Sequence, residues 1–383
     1  MGKQRKLLYL DYNATTPLDP RVLDAMMPWF LEPGNAGSRS HSYGQRAKAA
    51  VERAREQVAA VVGAKPEEIV FTSGATESNN LAILGMARNG ESDGRRHIVS
   101  TAIEHKAVLE PLEHLKGRGF EVELAPVTRG GYVEPDAVLE RVRADTLLVS
   151  VMHANNETGV LQPISEIGRA LREKGVFFHT DAAQTFGKEV DGLRATPCDA
   201  ISISGHKVYA PQGIGALCVR RRTEHRLASV AFGGGQERGL RPGTLPVALI
   251  VGLGVASDLA YKEHKDREAR AAAIKDAFLR GLEGIDHHLN GEPGRTQSHV
   301  INISFPGVDS EALMVALKST MAISNGSACT SSSYTPSHVL TAMGLEQEAI
   351  ESSVRMSWGE GVAVIETMPL VDAVCELKAG AIR

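Results

Sequence analysis

The 383 residues predict an α/β chain, with a seven-stranded, mainly parallel sheet covered by helices and a smaller α+β domain after it. Three observations carry this. Short, β-rich apolar runs alternate with helical patterns through the first two thirds of the chain. That alternation stops after a charged, Ala-rich stretch starting at Tyr261. The length also exceeds what a single core usually sustains.

The seven strands are read at residues 68–72, 97–101, 120–126, 146–152, 176–180, 200–204 and 214–219. Ahead of the first, Ala47, Val51, Ala54, Val58 and Val61 recur at steps of three and four and mark one apolar face of a helix. The uncharged run 245–256 reads as a buried helix, being well short of the roughly 20 residues that span a bilayer. Residues 261–282 read as a charged helix, and the domain boundary is placed near it. The rest is expected to hold a strand at 299–305, a helix at 310–318, a polar loop from Ser324 to Ser337 and a terminal helix. This divides the chain into a large domain, 16–256, and a small one formed by 1–15 and 257–383.

Composition narrows the function. With 42 Lys+Arg against 46 Asp+Glu, the net charge of −4 argues against a dedicated nucleic-acid or membrane-surface binder. Hydrophobic residues at 43% and charged residues at 23% exclude disordered, collagenous and coiled-coil classes. Cys198, Cys218, Cys329 and Cys375 form no CxxC pair, which suggests neither a disulfide framework nor a metal site. The basic N-terminus is interrupted at Asp11 before an apolar signal region develops, so a cytoplasmic, soluble chain is expected.

Three segments carry chemistry. The strand ending in Thr72 runs through Ser73, Gly74 and Ala75 into a helix near Thr76, and a helix N-terminus can hold a phosphate; alone, it reads equally as an ordinary cap turn. Asp181 follows an apolar strand, at the edge where α/β sheets bind ligands, and would suit a protonated ring nitrogen or cap a helix. Lys207 ends the strand-turn Ser204-Gly205-His206-Lys207, where desolvation would favour a Schiff-base amine, and Ser204 and His206 could supply phosphate donors. Together these are the protein-side needs of pyridoxal phosphate.

The chain resembles the cysteine desulfurases of the class V aminotransferase family, in the cluster-assembly branch. The resemblance rests on Tyr9 to Thr16, Ser73 to Ser78, Glu104 to Ala107, His153 to Glu157, Ser204 to Lys207, Arg238 to Thr244 and Gly326 to Ser331. It implies a fold-type I pyridoxal-phosphate transferase acting on L-cysteine as a homodimer. On this resemblance Lys207 is the Schiff-base lysine, Asp181 pairs with the pyridine nitrogen, Gln184 meets the ring hydroxyl, and His105 stacks on the ring and handles protons. Ala75, Thr76, Ser204 and His206 hold the phosphate, with Thr244 arriving from the second subunit. Asn155 contacts cofactor and substrate, and Arg355 takes the substrate carboxylate.

Cys329 differs from the other thiols because Gly, Ser and Thr surround it. It is the expected persulfide carrier on a swinging loop, with an acceptor protein docking near Ser324 to Ser337. Cys218 and Cys375 are read as buried small hydrophobes, and Cys198 as structural. Ala36 and Pro242 depart from the family pattern, where proline and serine are common. The stop at Arg383, without the tail by which housekeeping relatives grip a scaffold, leaves cluster assembly, tRNA thiolation and DNA phosphorothioation as competing destinations for the sulfur. A selenocysteine or cysteine-sulfinate lyase, or a non-catalytic sulfur-relay scaffold, are the rival readings. Neither a metal site, direct nucleic-acid binding nor a membrane contact is expected.

Overall fold

The structure is a computed structural model that describes residues 7–220, 227–325 and 336–381. Seven strands form one sheet: β1 (Ile69–Thr72), β2 (His97–Thr101), β3 (Glu121–Ala125), β4 (Thr146–Ser150), β5 (Phe177–Asp181), β6 (Ala200–Ser204) and β7 (Gly215–Val219). Their spatial order is β1-β7-β6-β5-β4-β2-β3. Neighbours from β6 through β3 are parallel, and β7 runs antiparallel to both β1 and β6. The α/β class and the seven-stranded sheet are therefore as the sequence predicts.

Alternate residues of each strand enter two different cores, as the two-residue period of a strand requires. Phe71, Val99, Val149, Phe178, Ile201 and Ala216 face a layer that includes helix α1 (Ser42–Val62). Val70, Ile98, Leu148, Phe177, Ala200 and Leu217 face α2 (Ala75–Asp93) and α3 (Lys106–Lys116). A sheet covered on both faces reads as unbroken apolar runs, which is why its strands are visible in the sequence.

The helix read in two pieces, 245–256 and 261–282, is one helix, α4 (Val247–Arg280). Its first half packs in the core with α1, through Ile250, Leu253 and Ala256; its second half sends Ala271 and Phe278 into another core. The change from apolar to charged composition marks a change of surroundings along one rod. The second core is built on an antiparallel pair, β8 (Val300–Ser304) and β9 (Ser353–Ser357), with Leu10, Met321 and Trp358. Leu8–Tyr9 pairs in parallel with Met321–Ala322, so the N-terminal segment joins this core before crossing to the large sheet.

No helix among the described residues is long and apolar enough to cross a membrane. Cys198 and Cys218 are buried, as expected, and burial pushes the Cys218 thiol up to about 12. Cys375 corrects the sequence reading: it is exposed, because it lies on the outer side of helix Met368–Ala381 while Val374 turns inward.

Candidate active site

The carboxyl ends of β1, β2, β4, β5 and β6 open on a cavity of about 480 Å³. It gathers Ala75, Thr76, His105, Asp181, Gln184, Ser204, His206, Lys207 and Arg355, residues spread over most of the chain. That edge is where an open α/β sheet binds ligands.

The turn after β1 is shaped by glycine. Gly74 has φ 157°, and a Cβ there would meet nothing within 4 Å, so this side of the turn is open. Gly215 of β7 passes beneath, where a Cβ would lie 2.6 Å from Gly74 Cα. The first bond of α2 runs from Ser78 N–H to Gly74 O, which leaves the amides of Ala75, Thr76 and Glu77 without acceptors inside the helix. These amides and the dipole end suit an anion. Glu77 nevertheless lines the same cavity. Burial works to raise its pKa, but Arg241 Nε at 2.9 Å and the Ser73 amide hold the carboxyl below its ordinary value.

Asp181 ends β5 and is buried. Its Oδ1 accepts from Ala183 N at 2.8 Å and its Oδ2 from Asn79 Nδ2 at 2.8 Å. Both donors are neutral, so the charge is oriented but not cancelled, and each oxygen keeps a lone pair for a further donor. Gln184 donates from Nε2 to Asn13 O at 3.0 Å, while its Oε1 is buried without a partner. Asn79 Oδ1 is likewise unpartnered.

His105 caps α3, its Nδ1 accepting from Ala107 N at 3.0 Å. Burial lowers its pKa, so the ring is neutral and carries its proton on Nε2. His206 lies in the turn Gly205–Lys207 that follows β6; burial, with Lys207 nearby, lowers its pKa to about 4. The N-terminal segment straps this turn, since Thr16 donates to His206 O from both N and Oγ1, each at 2.9 Å.

The opposite wall comes from the second core. Arg355 on β9 is buried, donating from Nη1 to Asn156 O at 3.0 Å and from Nη2 to Asp11 Oδ1 at 2.6 Å; its Nε has no partner. Of the neighbouring asparagines, Asn156 and not Asn155 lines the cavity. Asn155 is spent on its own turn: Nδ2 donates to Ile103 O, and Oδ1 accepts from the amides of Glu157 and Thr158. Thr244 is exposed and absent from the cavity of its own chain. Cys329 lies outside the described residues. Asn13, Asn79 and Glu77, which line the cavity, and Asp11, which accepts from Arg355, are residues that sequence reasoning missed; Asn79 could have been found one helical turn after Ala75.

Comparison with known proteins gives consistent matches. Residues 8–361 match the model of the aminotransferase class-V family. The cysteine desulfurase IscS of Rickettsia peacockii is 45% identical over 371 residues, covering 96% of this chain and 90% of the relative. The crystal structure of DndA from Streptomyces lividans is 52% identical with a TM-score of 0.80, over 90% of this chain and 98% of that one. A structure of SspA in complex with cysteine is 40% identical with a TM-score of 0.80, over 91% and 98%.

Proposed function

This chain belongs to the aminotransferase class-V family, and on that premise we propose that it is a pyridoxal-phosphate-dependent cysteine desulfurase converting L-cysteine to L-alanine. The observation that carries the reading is the convergence of Lys207, Asp181, His105 and Arg355 on one cavity with the open turn at Gly74.

The residues present fit the cofactor. Gln184 Oε1 is a buried acceptor awaiting a hydroxyl, Asp181 has a free lone pair on each oxygen, and the start of α2 offers amides beside an unfilled glycine face. Ala75, Thr76, Ser204 and His206 would hold the phosphate, Asp181 the ring nitrogen, Gln184 the ring hydroxyl and Lys207 the aldehyde. The partner subunit's Thr244 would complete the phosphate site in a homodimer, a role suited to an exposed residue outside its own cavity. Bound there, pyridoxal phosphate supplies an electron sink for the carbon framework of an amino acid.

The protein does the rest. Arg355 presents a planar fork, with Nε still unused, to the substrate carboxylate. Lys207 Nζ takes the Cα proton and later returns it, and His105 Nε2 carries a proton at the cavity mouth. The Cys329 thiolate attacks the substrate sulfur. A sulfur–sulfur bond forms, the Cβ–Sγ bond breaks with its electron pair left on carbon, and the proton of the substrate thiol ends on Cβ. L-Alanine leaves and Cys329 retains a persulfide, so no outside oxidant is needed. The persulfide then passes to an acceptor protein near the Ser324 to Ser337 loop, for iron-sulfur cluster assembly or for thiolation of tRNA or DNA. The domain division at 16–256 against 1–15 and 257–383 belongs to the same reading.

The test is alanine and sulfide production from L-cysteine with reductant, beside selenocysteine as competitor substrate. Equal yields of both products are expected, and Cys329→Ser should keep the cofactor's visible absorption while losing sulfide release. Undiminished release from that variant would overturn the assignment of Cys329.

A further inference from the structure

Among the described residues, strand β1 has a neighbour on one side only, so the outward backbone groups of its other edge have no ladder there to join. Side chains satisfy two of them. Ile69 O accepts from Arg55 Nη1 at 2.8 Å and from Arg238 Nη2 at 2.7 Å, and Phe71 N–H donates to Glu237 Oε2 at 2.8 Å. Glu237 and Arg55 also form a two-pronged ion pair, both contacts 2.8 Å, with side chains 2% and 6% exposed. The Arg55 guanidinium lies 4.7 Å from the Phe71 ring centre.

The backbone at Glu237 and Arg238 is left-handed, with φ 45° and 58°. Two successive non-glycine residues hold that conformation only where their surroundings impose it. Its effect is that consecutive side chains, which an extended chain would send to opposite sides, both reach the same strand edge. The segment that follows is tied to the turn after β1. Arg241 Nε bonds Glu77 Oε1, Glu77 Oε2 accepts from Ser73 N, and Gly243 N donates to Gln236 Oε1 at 2.9 Å.

We propose that Glu237 and Arg241 are positioning residues for the cofactor phosphate. Glu237, paired with Arg55, docks residues 236–243 on the edge of β1, and this places Arg241 against Glu77 at the start of α2. The consequence is electrostatic. Glu77 lines the cavity beside the phosphate-binding amides, and Arg241 answers its charge; without that guanidinium a phosphate dianion meets a bare carboxylate. The inference rests on the cofactor reading above.

The test uses the full-length apoprotein titrated with pyridoxal phosphate and, separately, with pyridoxal, which lacks the phosphate. Arg241→Met should weaken pyridoxal phosphate by about tenfold or more, as one lost compensating charge in a partly desolvated site predicts, with little change for pyridoxal. Glu237→Gln should shift the two in the same way. Adding Glu77→Gln to Arg241→Met should restore most of the loss. If Glu237→Gln does not fold, Arg241→Met decides alone, since Arg241 is partly exposed. Unchanged pyridoxal phosphate affinity, or an equal loss for both ligands, overturns the proposal. A parent protein that binds neither ligand instead overturns the cofactor reading.

Discussion

The floor and the wall of the cavity are built to opposite rules. On the floor, Asp181 is held by two neutral donors, Ala183 N and Asn79 Nδ2, so its charge is aimed and left uncompensated. On the wall, Arg355 is already answered by the Asp11 carboxylate and the Asn156 carbonyl. The floor stands on strands with both faces buried, whereas the wall joins a small antiparallel sheet to the N-terminal segment. The difference suits the proposed division between a resident cofactor on the floor and a passing substrate at the wall. A permanent cation needs an unopposed carboxylate waiting for it, while a substrate that comes and goes is better met by a cation with a resting partner, which need not be left bare in a buried site between turnovers.

The sharpest way to break this contrast is to remove the lysine that lines the floor, Lys207. Lys207→Ala should lose roughly a thousandfold or more in alanine formation and the visible band of the lysine-linked cofactor. An unchanged spectrum would remove Lys207 from the floor altogether. A smaller effect is expected at the wall. Arg355→Lys keeps the charge but not the planar fork, and should raise KM for L-cysteine roughly tenfold, with little change in cofactor retention. If Arg355→Lys released the cofactor as Lys207→Ala does, floor and wall would be one unit.

The smallest effect concerns stability. Glu104, next to His105, is fully buried; burial pushes its carboxyl from 4.5 up to about 8, against hydrogen bonds from Met152 N and Thr101 Oγ1 that work to lower it. The folded state therefore holds this proton more tightly than the unfolded chain. Its stabilising contribution is complete below about 4.5 and is lost as pH rises through about 8. Melting temperatures measured across that window should fall more steeply for the parent than for Glu104→Gln. Parallel curves would show that Glu104 does not hold its proton there.

Much of the floor is legible in the sequence because local signals coincide there. Strands buried on both faces read as apolar runs, and Asp181, Ser204 and Lys207 follow such runs directly. The wall is less legible. Arg355 and Asp11 lie 344 positions apart, and nothing local in either marks the other. The pairing of Glu237 with Arg55 is hidden for a related reason: it answers the free edge of β1, and that β1 ends the sheet is set by the strand order, which no local pattern marks. Helix α4 looks like two helices in the sequence because composition follows surroundings, and one helix crosses two of them. Asn155 shows the converse limit, since a residue type apt for ligands can be consumed by its own turn.

The N-terminal strap has a bearing on how the chain matures. Leu8 and Leu10 bond to Thr320 O and Ala322 O, Asn13 N–H donates to Ser357 Oγ, and Thr16 closes on His206. Asn13 thus waits for a residue 344 positions later in the chain before it finds its place. Contacts of such sequence separation form late and slowly. The large sheet can assemble during synthesis, but the cavity acquires its second wall only once β9 has been made, so a nascent chain short of β9 carries Lys207 without Arg355.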